Sequence, residues 1–368
     1  MKICRIANSI FFLCNHLNEQ IRATRDAGHS VHLIASLESD LESGKTELLN
    51  LPGISFHDIN ICREISIWDD FLALIKVCWV MFQQRYDIVH TVTSKGGLIG
   101  ILAAVLTGVP VRAHTFAGQP WLTKTGFVRH VAIFCDWLVA KLAVRSYTDS
   151  RGQRQFLVES GVVATGGLHV LGPGSIAGVD CKRFSLDRFD RSEIRKSMGI
   201  APSDLVVLFV GRVSREKGVI ELLTAYNSLS ETMTILPHLI LAGPMEVGIQ
   251  SLPVEVVNRL KECEQIHLVG YTEFPERYLA VSDVFCLPSY REGFGSVVIE
   301  AAAMRVPAVV SRIFGLSEAV TEGETGILVN LGDIDELVRS LRLMLENKIL
   351  RDKLGLNAQK RARRLFEA

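Results

Sequence analysis

Short β-rich apolar runs alternate with stretches of helical spacing along most of the chain, and this alternation constrains the fold more than any other feature. Candidate strands are Ile3–Ala7, Ser30–Ala35, Asp87–Val92, Val109–Phe116, Leu168–Leu171, Leu205–Gly211, His238–Ala242, His267–Val269, Val284–Pro288, Pro307–Ser311 and Gly326–Val329. Between most of them lie segments with apolar residues at helical spacing, such as Leu17–Ala27 and Val219–Leu229. Strands separated by helices form parallel sheets covered on both faces. A chain of 368 residues, 48% of them apolar, is long for one core and natural for two. The polar, charged stretch Cys181–Asp204 precedes the fresh buried run "LVVLFVG", so the expected domains are 1–183 and 184–368, each Rossmann-like and doubly wound. Two such domains facing each other leave a cleft at the carboxyl ends of their strands, where nucleotides bind.

Global charge supplies no field to attract nucleic acid, since 40 Lys and Arg balance 40 Asp and Glu. Locally the balance is different. From Ile88 to Gln155 the basic residues Lys95, Arg112, Lys124, Arg129, Lys141, Arg145, Arg151 and Arg154 face only Asp136 and Asp149. The eight cysteines are scattered without a CxxC spacing and read as reduced thiols of a cytosolic protein. Met1–Ala7 reads as a first strand rather than a leader, and the longest apolar run, Gly96–Val111, falls short of a bilayer span.

Two loops carry the chemistry. After the strand Leu205–Gly211 comes "GRVSREKGV", which sets Arg212 and Lys217 ahead of a helix opening near Gly218. A guanidinium fork and an ammonium beside a helix N-terminus suit a diphosphate; a solvated basic loop has the same composition. The second loop is "REGFGSVVIEA", Arg291–Ala301. Its glycines Gly293 and Gly295 let the backbone approach a ligand, with N–H groups near the start of a helix. Glu300, in that helix, is placed to accept from paired ribose hydroxyls, while the alternative for Glu292 and Glu300 is to complement the helix dipole.

Taken in order along the chain, these stretches resemble the family 4 retaining glycosyltransferases of the GT-B fold, in their bacterial surface-polysaccharide subgroup of O-antigen, capsule and exopolysaccharide enzymes. The likeness rests on "AGHSVHLIAS", "YDIVHTVTSKGGLIGILAAVLTGVPV", "GSIAGVDCKRF", "GRVSREKGV", "LVGYTEFP", the Glu-x7-Glu element Glu292–Glu300 and "GLSEAVTEGETGILV". By that resemblance Arg212 and Lys217 bind the donor diphosphate and offset charge on the leaving group. Glu292 meets donor-sugar hydroxyls with the N–H groups of Phe294 and Gly295, Glu300 holds the ribose, and the backbone at Gly270 and Tyr271 seats the base, uracil. Fixed cations and a helix end can stabilise a departing diphosphate without a metal, so no cofactor is expected. The N-terminal domain is expected to take the acceptor.

The chain departs from the family pattern at two points. No glycine occurs between Met1 and Ala27, so the first loop is expected to face the acceptor and not to wrap the diphosphate. The stretch "AHTFAGQPWLTKTG" has Ala117 before Gly118 where relatives have His-Gly, leaving His114 as a candidate catalytic residue or a core histidine, with Gly118 and Gln119 as candidate sugar or acceptor contacts. The acidic triplet Asp333–Asp335 starts a helix and reads as a cap, not a metal ligand. Lys124–Arg145 is an apolar, aromatic-bearing helix with a basic fringe. It either packs on its own sheet or rests on anionic lipid, and the family's lipid-linked glycans favour the lipid. "AQKRARRLFEA" resembles the start of the family's last helix, which normally runs further and packs back on the N-terminal domain.

The expected activity is transfer of a hexose or N-acetylhexosamine from a UDP-sugar to a polyprenyl-diphosphate-linked cell-surface glycan, at the inner face of the cytoplasmic membrane. A sugar-nucleotide 2-epimerase of the same architecture and a non-catalytic sugar-nucleotide-binding protein are the alternatives.

Overall fold

The computed structural model describes residues 1–37, 45–62, 66–234, 236–246 and 251–368, and it resolves into two compact units, Met1–Ala177 and Gly178–Ala368. The division falls a few residues ahead of the expected 183/184. The polar stretch from Cys181 therefore lies wholly in the second unit. Its apolar members Cys181, Phe184, Leu186 and Phe189 pack into that unit's core.

In the first unit seven strands form one parallel sheet: β1 (Lys2–Ser9), β2 (Ser30–Ser36), β3 (Ile54–Asp58), β4 (Ile88–Val92), β5 (Val111–Phe116), β6 (Arg145–Thr148) and β7 (Leu168–Val170), in the order β3-β2-β1-β4-β5-β6-β7. In the second unit six strands do the same: β8 (Val206–Val210), β9 (His238–Ala242), β10 (Ile266–Gly270), β11 (Val284–Leu287), β12 (Ala308–Ser311) and β13 (Gly326–Val329), in the order β10-β9-β8-β11-β12-β13. Both are the doubly wound arrangement, with the winding direction reversing between β1 and β4 and again between β8 and β11. Two strands, β3 and β6, were not expected from the sequence. Both are short and mix polar with apolar residues, "ISFHD" and "RSYT". The helical segment expected over Leu17–Ala27 is the helix Asn18–Asp26, and a further short helix, Ile10–His16, precedes it.

Helix Ser94–Leu106 lies on the first sheet closely enough that its glycines have no room for side chains. A Cβ at Gly96 would come 3.0 Å from the Ala7 carbonyl carbon, at Gly97 2.5 Å from His114 Cε1, and at Gly100 2.6 Å from Thr91 Cγ2. The glycines thus trade helix propensity for close packing.

Helix Ile67–Gln84 is apolar on two faces. Ala73, Val77 and Met81 are buried on the sheet. Ile67, Trp68, Phe71, Leu72, Ile75, Trp79 and Phe82 are exposed, Trp68 at 77% and Phe82 at 67%. At 100° per residue these seven fall on one side of the helix. Helix Gly126–Leu142 exposes Phe127, Val128, Phe134 and Trp137, and the acid on that helix, Asp136, is buried against Trp121 Nε1 at 2.8 Å. Its exposed charges are basic: Arg129 and Lys141. No helix among the described residues is long and apolar enough to cross a membrane.

In the second unit the closing helix Lys348–Leu365 packs on helix Ser296–Ala303 and on helix Ile334–Glu346. Asp333 caps the latter by accepting from Glu336 N–H at 2.8 Å, the role expected of it. Beyond the closing helix, Val179 N–H donates to Phe366 O at 2.7 Å and Ala368 N–H to Val179 O at 3.1 Å, tying the end of the chain to the start of its unit.

Gly97→Ala is expected to destabilise the first unit by about 1–3 kcal/mol, since neither the helix nor the His114 ring can give way freely. Thermal denaturation measures this, and an unchanged melting temperature would show that the contact is loose.

Candidate functional site

The site residues expected in the second unit converge at the carboxyl edge of its sheet. β8 delivers the loop Gly211–Gly218 and β11 delivers Pro288–Gly295; because these strands are neighbours, the loops lie side by side at the reversal point. The contact is intimate. Gly218 has φ 72°, and a Cβ there would sit 2.0 Å from the Pro288 carbonyl oxygen. Tyr290 N–H donates to Glu216 O at 3.0 Å.

Three cations in this edge are met by carboxylates, while Arg215 donates to the Ser251 carbonyl at 2.8 Å. Lys217 Nζ donates to Glu292 Oε1 at 2.6 Å, with both side chains mostly buried. Arg212 pairs with Glu246, which follows β9, and Arg291 pairs with the buried Glu216. Tyr290 Oη donates to Glu221 at 2.7 Å, a bond that raises the phenol to about 12. An incoming diphosphate can exchange for these carboxylates on Lys217 and Arg212 without any new cation entering the site.

The glycine turn is equally constrained. Gly295 has φ 79°, where a Cβ would lie 2.5 Å from Leu316 Cδ2, and Gly293 sits against Gly315 so closely that a Cβ on Gly315 would be 2.7 Å from the Gly293 carbonyl oxygen. Phe294 is buried and meets Phe366 edge-on at 5.3 Å, so it anchors the turn and offers only backbone to a ligand. Helix Ser296–Ala303 begins here with no side-chain cap. Of its leading N–H groups, that of Val298 donates to Gly295 O at 2.8 Å, and the first two precede any carbonyl the helix can offer them.

Gly270, φ 73°, ends β10 and the exposed Tyr271 follows it at the same sheet edge. Glu300 is half-buried on helix Ser296–Ala303. Burial raises its carboxyl to about 7, with Arg183 lowering it and Glu276 raising it. Sequence reasoning missed Arg183, Glu216, Glu246, Glu276 and Arg291 as parts of this edge. Arg291 stands inside the quoted glycine turn and Arg183 inside "GVDCKRF", so both were visible without a partner to define them.

The candidates in the first unit fare differently. His114 is buried in β5, with Thr91 Oγ1 2.8 Å from its Nδ1 and the Phe116 ring edge-on at 4.4 Å. Burial pushes it down to about 3, so the ring is neutral. It fills the space under Gly97 and has the setting of a packing residue. Gly118, φ 96°, turns the chain after β5 and leads to Gln119, which is fully buried. Asp149 N–H donates to Gln153 Oε1 at 3.1 Å, which fixes the Gln153 amide so that its Nε2 donates to Gln119 Oε1 at 3.2 Å. Gln119 Nε2 and Asp149 Oδ1 are buried with no hydrogen-bond partner. Burial raises Asp149 to about 7. β1 passes directly into helix Ile10–His16: Asn8 Oδ1 accepts from Gly96 N–H at 2.7 Å, and Ser9 caps the helix.

Among the described residues no group of three or more His, Cys, Asp or Glu could hold a metal ion. All eight cysteines are unbridged.

Comparison with known proteins gives a consistent picture. Residues 190–361 match the model of the glycosyl transferases group 1 family, and residues 15–174 match the glycosyl transferase 4-like domain. The capsular polysaccharide biosynthesis glycosyltransferase CapM of Staphylococcus aureus is 28% identical, over 95% of this chain and 89% of its own. The UDP-Gal:α-D-GlcNAc-diphosphoundecaprenol α-1,3-galactosyltransferase of Escherichia coli is 29% identical, over 84% of this chain and 79% of its own. Among solved structures, HepE of Anabaena in complex with UDP-glucose superposes with a TM-score of 0.79 at 20% identity, covering 100% of this chain and 96% of its own.

An acid whose folded pKa lies above its unfolded value stabilises the fold at low pH and loses that contribution as pH rises through the folded pKa. Asp149→Asn should therefore gain stability relative to the parent between about pH 4 and pH 7, by at most about 1.4 kcal/mol per pH unit, and hold the gain above that range. A melting-temperature difference that is flat from pH 4 to pH 8 would show that Asp149 ionises freely.

Proposed function

The chain belongs to the family 4 glycosyltransferases of the GT-B fold, in the bacterial surface-polysaccharide group, and from that premise we propose that it moves a hexose or N-acetylhexosamine from a UDP-sugar to a growing polyprenyl-diphosphate-linked glycan, with retention at the anomeric carbon. The observation that carries the donor half is the Lys217–Glu292 pair at 2.6 Å, between two loops that β8 and β11 bring together at the reversal point of a doubly wound sheet.

In this reading the donor diphosphate takes Lys217 and Arg212 from their carboxylates. The freed Glu292 turns to the sugar hydroxyls, with the N–H groups of Phe294 and Gly295 beside it. Glu300 accepts from the ribose, and Gly270 and Tyr271 meet the base. As the bond to the anomeric carbon breaks, charge accumulates on the leaving diphosphate, where Lys217, Arg212 and the uncapped start of helix Ser296–Ala303 stabilise it. Those cations supply what a metal supplies elsewhere, so the reaction needs none. His114 has no part in this chemistry, since its ring is occupied under helix Ser94–Leu106. The choice of UDP draws support from the UDP-glucose complex of HepE and the UDP-galactose-using relative, and the lipid-linked acceptor from that same relative.

Donor binding is tested by thermal stabilisation and calorimetry with UDP, UDP-glucose, UDP-galactose and UDP-N-acetylglucosamine. A ligand of the folded state must raise its stability. Lys217→Ala and Glu300→Ala are expected to weaken binding about tenfold or more, the loss of roughly one charged hydrogen bond. Glu292→Ala should lower turnover on GlcNAc-diphosphoundecaprenol more than it lowers affinity, and EDTA should leave turnover intact. Unchanged binding and activity in all three variants would refute the site.

We place the protein peripherally on the inner face of the cytoplasmic membrane. The support is the apolar side of helix Ile67–Gln84, with Trp68 and Trp79, and the basic and aromatic helix Gly126–Leu142, each of which packs on helix Ser94–Leu106. Aromatic tips and basic side chains are the composition of a surface that lies in a lipid interface. Trp68→Ser with Trp79→Ser should abolish most co-sedimentation with phosphatidylglycerol-containing vesicles while leaving UDP binding unchanged. Equal sedimentation of parent and variant would remove this face from the reading.

A further inference from the structure

The segment that opens the second unit ends in a guanidinium that joins two parts of the nucleotide edge. Asp180 Oδ1 accepts from the N–H groups of Lys182 at 2.9 Å and Arg183 at 3.0 Å, and Phe184 N–H donates to Asp180 O at 2.9 Å. This turn directs Arg183 over the Phe184 ring, 5.2 Å from its centroid, toward helix Pro275–Val281. There Nε donates to Glu276 Oε1 at 3.0 Å and Nη2 to Glu276 Oε2 at 2.9 Å, a bidentate pair. Nη2 also donates to the Glu273 carbonyl at 2.6 Å, in the loop that Gly270 and Tyr271 begin. Glu276 is 4% exposed, and its helix packs on Ser296–Ala303, which carries Glu300.

We propose that Arg183 is a positioning residue for the nucleoside half of the donor: it fastens the base-side loop through Glu273 and Glu276, and its charge, opposed by that of Glu276, governs whether Glu300 meets the ribose as a carboxylate. The proposal rests on the donor reading given above.

The charged groups that face Glu300 are few. Arg183 and Glu276 act on it in opposite senses, Arg183 favouring the ionised form. On the other flank of its helix, Lys348–Leu365 brings Gln359 to the Ala303 carbonyl and Arg361 to the carbonyls of Glu318 and Ala319, and the short helix Leu316–Ala319 contributes Glu318 itself. An ionised Glu300 accepts from two ribose hydroxyls, whereas a protonated one has a single full acceptor and a misplaced donor. Nucleotide affinity should therefore rise with pH through the neutral range. Removing Arg183 takes away a charge that favours ionisation and shifts the rise to higher pH. Removing the Glu276 charge shifts it to lower pH.

The test is calorimetric titration of UDP into the parent, Arg183→Met and Glu276→Gln from pH 5.5 to 8.5. Titration of the UDP phosphate is common to all three proteins and cancels in the comparison. The parent is expected to show a midpoint near neutrality, Arg183→Met an upward displacement with about tenfold weaker binding at pH 7, and Glu276→Gln a downward one. Opposite displacements cannot come from simple loosening of the loop, which would weaken both variants at every pH. If both bind UDP with the parent's midpoint, the role of Arg183 is overturned while the donor reading stands. If the parent binds no UDP at any pH, the donor reading falls and this inference with it. Should Arg183→Met fail to fold, the displacement in Glu276→Gln alone decides.

Discussion

The pairing of β8 with β11 is the contact on which the second unit's chemistry depends. In a sheet wound outward from its middle, those two strands are the one pair whose following loops diverge to opposite faces, leaving backbone and side chains at the gap without a covering helix. Here the gap is filled by ion pairs. Lys217 pairs with Glu292 and Arg291 with Glu216 across the gap, joining the two loops, while Glu246, from the loop after β9, meets Arg212. Gly218 is forced by this closeness, since a methyl group there would overlap the Pro288 carbonyl, and Gly295 by its contact with Leu316. A ligand that enters must replace the carboxylates it displaces, and only a group with comparable negative charge can do that without stranding a half-buried cation.

Much of this edge was legible in the sequence because it is local. Arg212, Lys217, Glu292, Gly293 and Gly295 sit within single loops, each bounded by a strong apolar strand and a helix start, and the reversal of winding follows from strand order alone. Two of the compensating acids were not legible. Glu246 lies on the loop after β9 and Glu276 on the helix after β10, and only the closed sheet brings them beside Arg212 and Arg183. The strands β3 and β6 escaped notice for a related reason. Ser146 and Thr148 in "RSYT" are buried polar residues, so the run lacks the apolar signal by which the other strands were recognised. Nor could sequence show where the His114 ring sits; it occupies the space left by the missing side chain of Gly97.

Helix Ile67–Gln84 shows the limit of periodicity as a signal. Sequence attention falls on Lys124–Arg145, where charge and apolar residues alternate visibly. Ile67–Gln84 is apolar nearly all round, and a helix without contrast reads as one buried on every side. Only when Ala73, Val77 and Met81 are seen to occupy the sheet does the opposite side, with two tryptophans and two phenylalanines, stand out as uncovered. Apolar surface left in water costs on the order of 25 cal/mol for each Å². A face of seven large side chains is therefore a substantial standing cost to the folded unit. The basic side chains of Gly126–Leu142 say what kind of surface would return it. Arg129 and Lys141 stand exposed on a helix whose acid is buried, so a covering surface that also carries negative charge would suit both helices. In the reading proposed above, an anionic lipid interface would bring both at once, covering the apolar side chains and meeting the basic ones in a single surface.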